Sequence, residues 1–225
     1  MYLCRSIKEV FIIITNNLWQ VFSNVALGIP ITLQYAFSAV CLGFIIAVLL
    51  TVSRMSKYKI LRFGSNTYIS VFRGTPLIIQ LYIIYFSFKI SNIFFAGVLV
   101  FSLNSGAYVA EIIKSGINSV DKGQIEAGLA LNIPYFYIMK DIILPQALRK
   151  IIPALVNEVI NLLKESSIIS VLGGMDLMGR AKILSQTTYD FFTPMISVAL
   201  CYYILVLILS FIAQILEKKL KLKYD

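Results

Sequence analysis

Four stretches of this chain carry no Asp, Glu, Lys or Arg: residues 10–53, 74–88, 90–110 and 191–216. A single helix needs about 20 mainly apolar residues to cross a bilayer, and these gaps between charges are where such helices can lie. With 59% hydrophobic residues among 225 and a mean hydropathy of +0.84, the chain has more apolar surface than a water-soluble domain can hide. Lipid must solvate part of it, and the sequence predicts an integral membrane protein built as an all-α bundle.

The front half of the first gap holds Asn16, Asn17, Gln20, Ser23 and Asn24, so residues 1–24 read as an interfacial segment. The first span starts near Pro30, a residue suited to a first helical turn. Spans are expected near 30–51, 65–87, 93–113, 153–173 and 193–215, in one membrane domain over 25–217 with a polar loop at 114–152 and a basic tail at 218–225. Five spans put the termini on opposite sides, and basic residues choose which. With the amino terminus outside, the inner side holds Arg54, Lys57, Lys59, Arg62, Arg73, five basic residues from Lys114 to Lys150, and four tail lysines. That is fourteen inside against five outside, namely Arg5, Lys8, Lys89, Arg180 and Lys182. The net charge of +9 therefore reads as orientation and attraction to anionic lipid. Nucleic acid is not an expected partner, because the charges are dispersed among spans instead of gathered on one soluble face.

Cys4, Cys41 and Cys201 are scattered and suggest neither a disulfide framework nor a metal site. Histidine is absent, which removes the commonest metal ligand and general base from any enzymatic scheme. The short run Val10 to Ile14, followed by two asparagines, does not build a cleavable signal peptide. There is no Gly-x-x-x-x-Gly-Lys-Ser/Thr pattern, so the chain lacks its own phosphate cradle for ATP.

The stretch Asp121 to Pro153 breaks the apolar pattern. Asp121 can cap a helix whose third residue is Gln124, with Val120 and Ile125 at the staple positions. Asn132 tolerates a left-handed conformation and Pro134 can open a second short helix. Within the first helix, Ala127 and Gly128 are small enough for another protein to come close, and Glu126 offers acceptors to N–H donors. Spacing alone also allows an amphipathic loop lying on the inner leaflet.

Ionisable groups inside spans are costly, about 2.5 to 3.5 kcal/mol each at the bilayer centre on insertion scales. Asn157, Glu158, Asn161, Lys164 and Glu165 fall on one arc of a helix, which should line a hydrated pathway or meet a second copy, with Lys164 paired to a carboxylate. Asn104, Tyr108, Glu111 and Ser115 repeat the pattern one span earlier, where Gly106, Ala107 and Ala110 equally suit close helix packing. Pro76 and Gly74 predict a kink or break in the second span. Its freed carbonyls, with Thr75 and Gln80, become candidate ligands for a zwitterion, and Arg73 a candidate partner for its carboxylate, unless Arg73 only marks the interface.

Glu126-Ala127-Gly128, the break at Asn132 and Leu144-Pro145-Gln146 together resemble the "EAA" loop of bacterial ABC-importer membrane subunits. Phe72-Arg73-Gly74-Thr75-Pro76-Leu77-Ile78-Ile79-Gln80, Gly106-Ala107-Tyr108-Val109-Ala110-Glu111-Ile112 and Leu162-Leu163-Lys164-Glu165-Ser166-Ser167 resemble the polar amino-acid branch of that family, with glutamine-type permeases nearest. Gly128 stands where the family has a second Ala, and Asn132 where it has Gly. The resemblance implies a type I importer fold, the methionine-importer-like architecture, of five spans and an amino-terminal interfacial helix. It implies ATPase coupling through Gly123, Gln124, Glu126, Ala127, Gly128, Asn132 and Pro145, and a bacterial inner-membrane location. It implies as partners two ABC ATPase subunits that use ATP and Mg, a periplasmic amino-acid-binding protein and a second permease copy; the chain itself is expected to bind no cofactor. Two rivals are an ion-coupled secondary transporter using Glu111, Glu158 or Glu165, and a membrane-embedded enzyme. The first has no need of a docking loop, and the second lacks a nucleophile motif.

Overall fold

The computed structural model describes residues 18–222, all of whose regular structure is helical. The interfacial expectation for residues 1–17, with Asn16 and Asn17, and the last three residues of the basic tail lie outside the described residues. Helix α1 covers residues 18–26 and breaks at residues 27–28 before α2, Ile29–Met55, where Pro30 sits in the first turn as expected.

Helix α2 buries Thr32, Tyr35, Ala36, Ala39, Gly43, Ala47 and Thr51, spaced so that one face meets α5, Ile93–Asn118. Lipid gives apolar side chains no reason to leave it, so two helices in a membrane hold together by close approach of small residues. A Cβ on Gly106 would lie 2.7 Å from Ile46 Cγ2, and one on Gly43 would lie 3.0 Å from the Ser105 side chain. The opposite face of α2 shows Phe37, Ile45, Leu49 and Val52 to the surroundings. That surface suits acyl chains and would be a liability in water.

The region expected as one span at 65–87 is two helices, α3, Lys59–Gly74, and α4, Leu77–Ser87, meeting at 108°. Pro76 has no N–H and forces Thr75 into extended backbone, which ends α3. Among the described residues, three helices are long and apolar enough to cross a membrane, the first counted through the turn at 27–28, and the bent pair makes a fourth if it is one span.

The second loop helix is not short, which corrects the sequence reading. After α6, Lys122–Ala130, and the left-handed Asn132 at φ 57°, chain from Tyr135 runs as α7, Tyr135–Tyr137, a π-helical stretch Ile138–Ile143, and α8, Leu144–Glu165. Pro134 precedes α7 as its cap instead of opening it. Pro145 cannot donate to the carbonyl four residues back and crowds it, so the wider π turns just before it relieve a run that would otherwise stop. The expected span at 153–173 is likewise revised: α8 ends at Glu165, Ser166–Leu172 is a tighter 3-10 turn, and Gly173 at φ 86° stops it. Helix α9, Leu177–Thr188, and the long apolar α10, Phe192–Leu222, complete the chain.

Candidate functional site

Helix α6 begins as the sequence predicts. The Asp121 carboxylate accepts from Gly123 N at 2.6 Å, the Gln124 N–H donates to the Asp121 carbonyl, and Val120 and Ile125 are half-buried. Gly123, Gln124, Glu126 and Ala127 are exposed. Gly128 is not: it is buried against Ile138, whose Cδ1 lies 2.8 Å from where a Cβ would stand. Its small size therefore serves the loop's own packing, and the expectation that it admits another protein is corrected. The Gly128 carbonyl also accepts from Ile133 N, closing the turn through Asn132. The result is a short helix held onto the π-helical stretch, with Glu126 and Ala127 on its free face.

At the break between α3 and α4, the candidate ligands are already occupied. Gln80 Nε2 donates to the Phe72 carbonyl at 2.9 Å and to Thr75 Oγ1 at 2.8 Å, while Gln80 Oε1 accepts from Asn104 Nδ2 at 3.1 Å. Asn104 Nδ2 reaches the same Phe72 carbonyl. Pro76 strands that carbonyl, and two amide side chains re-satisfy it, as hydrocarbon requires. Gln80, Thr75 and Asn104 form a brace across α3, α4 and α5. Replacing Gln80 with Leu should leave the Phe72 carbonyl to Asn104 alone and take from the Thr75 carbonyl its side-chain donor where water is scarce, at about 1 to 3 kcal/mol. We expect a lower melting temperature of the detergent-solubilised protein; an unchanged one would mean that water reaches the break.

Arg73 is likewise engaged. Its guanidinium lies 3.9 Å from Glu111 and stacks over the Tyr108 ring at 5.3 Å. Glu111 is also salt-bridged to Arg54 from α2, a residue the sequence reading counted only toward orientation. An acid facing inward at the end of a span implied a partner, and that was the available signal. Arg73, Tyr108, Glu111, Ser115 and Lys150 border an open cleft of about 410 Å³ between α3, α5 and α8.

On α8, Asn157, Asn161, Lys164 and Glu165 form an exposed polar row on the single chain. Glu158 departs from it, being only 8% exposed. Lys164 makes no salt bridge among the described residues, and the carboxylate it acts on electrostatically is that of its neighbour Glu165 on the same helix. Also unread in the sequence was Asp176, fully buried, which caps α9 through Gly179 N at 3.0 Å and accepts from Tyr202 Oη at 3.2 Å. Its spacing to Gly179 is the cap signature that marks it.

Residues 39–222 match the family described as binding-protein-dependent transport system inner membrane component. A protein of Rickettsia typhi named as a glutamine transport system permease is 58% identical over 199 residues, covering 86% of this chain and 91% of its own. The arginine transport system permease of Bacillus subtilis is 46% identical over 200 residues, with 86% and 91% covered. A crystal structure of an amino acid ABC transporter superposes with a TM-score of 0.86 at 38% identity, covering 90% of this chain and 97% of that one. An inward-facing methionine ABC transporter shares the fold, with a TM-score of 0.70 at 24% identity and 86% and 94% covered.

Proposed function

The chain belongs to the binding-protein-dependent transport system inner membrane components, and from that membership we propose that it is the permease subunit of an ATP-driven importer of glutamine. The observation that carries the mechanism is the free Glu126–Ala127 face of α6 on a loop packed rigidly through Gly128 onto Ile138. An ABC ATPase subunit that seats this face holds the π-helical stretch and, through continuous helix, α8. Closure of two ATPases on ATP and Mg then moves α8 in each of two identical permease copies, and with it the row Asn157, Asn161, Lys164 and Glu165. That row lines the pathway: Lys164 faces the cargo's carboxylate, and Glu165 faces its ammonium. A periplasmic binding protein delivers the amino acid, and the fourteen-to-five distribution of basic residues supports a periplasmic amino terminus and a cytoplasmic coupling loop.

The test is reconstitution with the ATPase and binding protein in proteoliposomes. Glutamine uptake should need ATP and persist when the proton gradient is collapsed; uptake that follows the gradient without ATP would return the secondary-transporter reading. Arginine entering in place of glutamine would change the cargo alone. A tag after Asp225 should be cytoplasmic, and a cysteine placed near Arg180 should react with an impermeant reagent from outside.

A further inference from the structure

A second, smaller cleft of about 160 Å³ opens where α2 and α5 end, bordered by Thr51, Arg54, Met55, Asn66, Lys114 and Asn118. Its chemistry differs from that of the cleft beside Lys150. Two cations and two side-chain amides face it, and the nearest acid, Glu111, is already salt-bridged to Arg54. Arg54 carries five N–H donors, of which one is committed to Glu111, while its side chain is only 12% exposed. Among the described residues its guanidinium has no further hydrogen bond, and it borders the cleft.

The surroundings identify the acceptor. Asn66 lies on α3, and Arg62 and Lys59 stand four and seven residues before it, on the same helical face and exposed. Leading away from the cleft along α2 are Met55, Val52 and Leu49, which are 52%, 63% and 63% exposed. On α3, Phe63 and Ile60 are 74% and 86% exposed. A basic, amide-lined notch at the end of a membrane helix, continued by a strip of bare apolar side chains, matches a molecule with a phosphate at one end and acyl chains at the other.

We infer that this cleft is a binding site for an anionic phospholipid, its phosphate held by Arg54, Lys114, Asn66 and Asn118 and its acyl chains lying on Leu49, Val52 and Met55. Each nearby cation contributes about five-fold to affinity for an anionic lipid surface. The site rests on the membrane placement of the chain and not on the choice of cargo, so transport can fail while lipid binding holds.

Native mass spectrometry of the intact importer in detergent, titrated with phosphatidylglycerol or phosphatidylcholine, tests it. Phosphatidylglycerol should bind at least about ten-fold more tightly, and Lys114→Gln should weaken it by about five-fold. Lys182→Gln, an equal loss of charge on α9, should leave binding unchanged, and Asn118→Leu should weaken it without altering net charge. Equal affinity for the two lipids, or equal effects of Lys114→Gln and Lys182→Gln, would overturn the site. Full competition by millimolar inorganic phosphate would reduce it to a free-anion notch. Efficient disulfide formation between two copies carrying Lys114→Cys would assign the cleft to a protein contact and overturn the lipid.

Discussion

Replacing Glu111 with Gln should lower the thermal stability of the purified protein more than any other single change in the charge cluster. Glu111 holds Arg54 from α2 and lies 3.9 Å from Arg73 of α3, so its carboxylate ties three helices together. With the charge removed, Arg54, part-buried and only 12% exposed, is left without its carboxylate. Breaking a buried pair on one side costs about 3 to 5 kcal/mol, and because Glu111 is itself 31% exposed we expect the lower end. For a chain of this size that is a fall of roughly 6 to 12 °C in melting temperature. Arg73→Met should cost far less, about 0 to 1 kcal/mol, because Arg73 is 43% exposed and its contact is long. The double change Arg54→Met with Glu111→Leu should recover most of the loss, since neither charge is then left behind. A Glu111→Gln protein that melts with wild type would mean that water screens the pair.

At the loop proposed to dock the ATPase, Glu126→Lys should remove ATP-coupled uptake while leaving the protein in the membrane. Glu126 lies on the free face of α6, so reversing it disturbs no internal contact. A lost charge-assisted hydrogen bond at the ATPase surface is worth about 1.5 to 3 kcal/mol, which is roughly ten-fold to a hundred-fold in association. Ala127→Leu should act in the same way by bulk. Gly128→Leu should differ in kind: its side chain must displace Ile138, which is fully buried, at about 1 to 3 kcal/mol of overpacking. The loop itself should then become protease-sensitive, with less protein recovered. Co-purification of the ATPase, binding-protein-stimulated hydrolysis and limited proteolysis together separate the two outcomes. If Glu126→Lys keeps full ATPase recovery and uptake, α6 is not the docking helix; if Gly128→Leu resembles Ala127→Leu in every readout, the packing against Ile138 does not matter.

Local chemistry was enough to read the charge-free runs, the Asp121 cap, the left-handed Asn132 and the break at Pro76, because each depends on neighbours within a turn or two of chain. The family followed from motifs of the same short range. What the sequence could not decide was which way a polar residue points once helices pack. Gly128 and Ala127 are adjacent and both small, yet one turns inward to Ile138 and the other outward, a choice set by a contact ten residues along. Gln80 and Asn104 looked like ligands because polar groups in spans are expensive. They are braces because the tertiary fold brings both to the carbonyl that Pro76 strands. Arg54 and Glu111, 57 residues apart, meet only because the small-residue faces of α2 and α5 let those helices come close. The sequence alone determined which runs are apolar enough to suit lipid and where Asp121 caps α6 and Pro76 ends α3, since solvation and backbone hydrogen bonding are local. The tertiary structure alone decided which polar groups satisfy one another and which stay free to act, since that depends on partners distant in the chain.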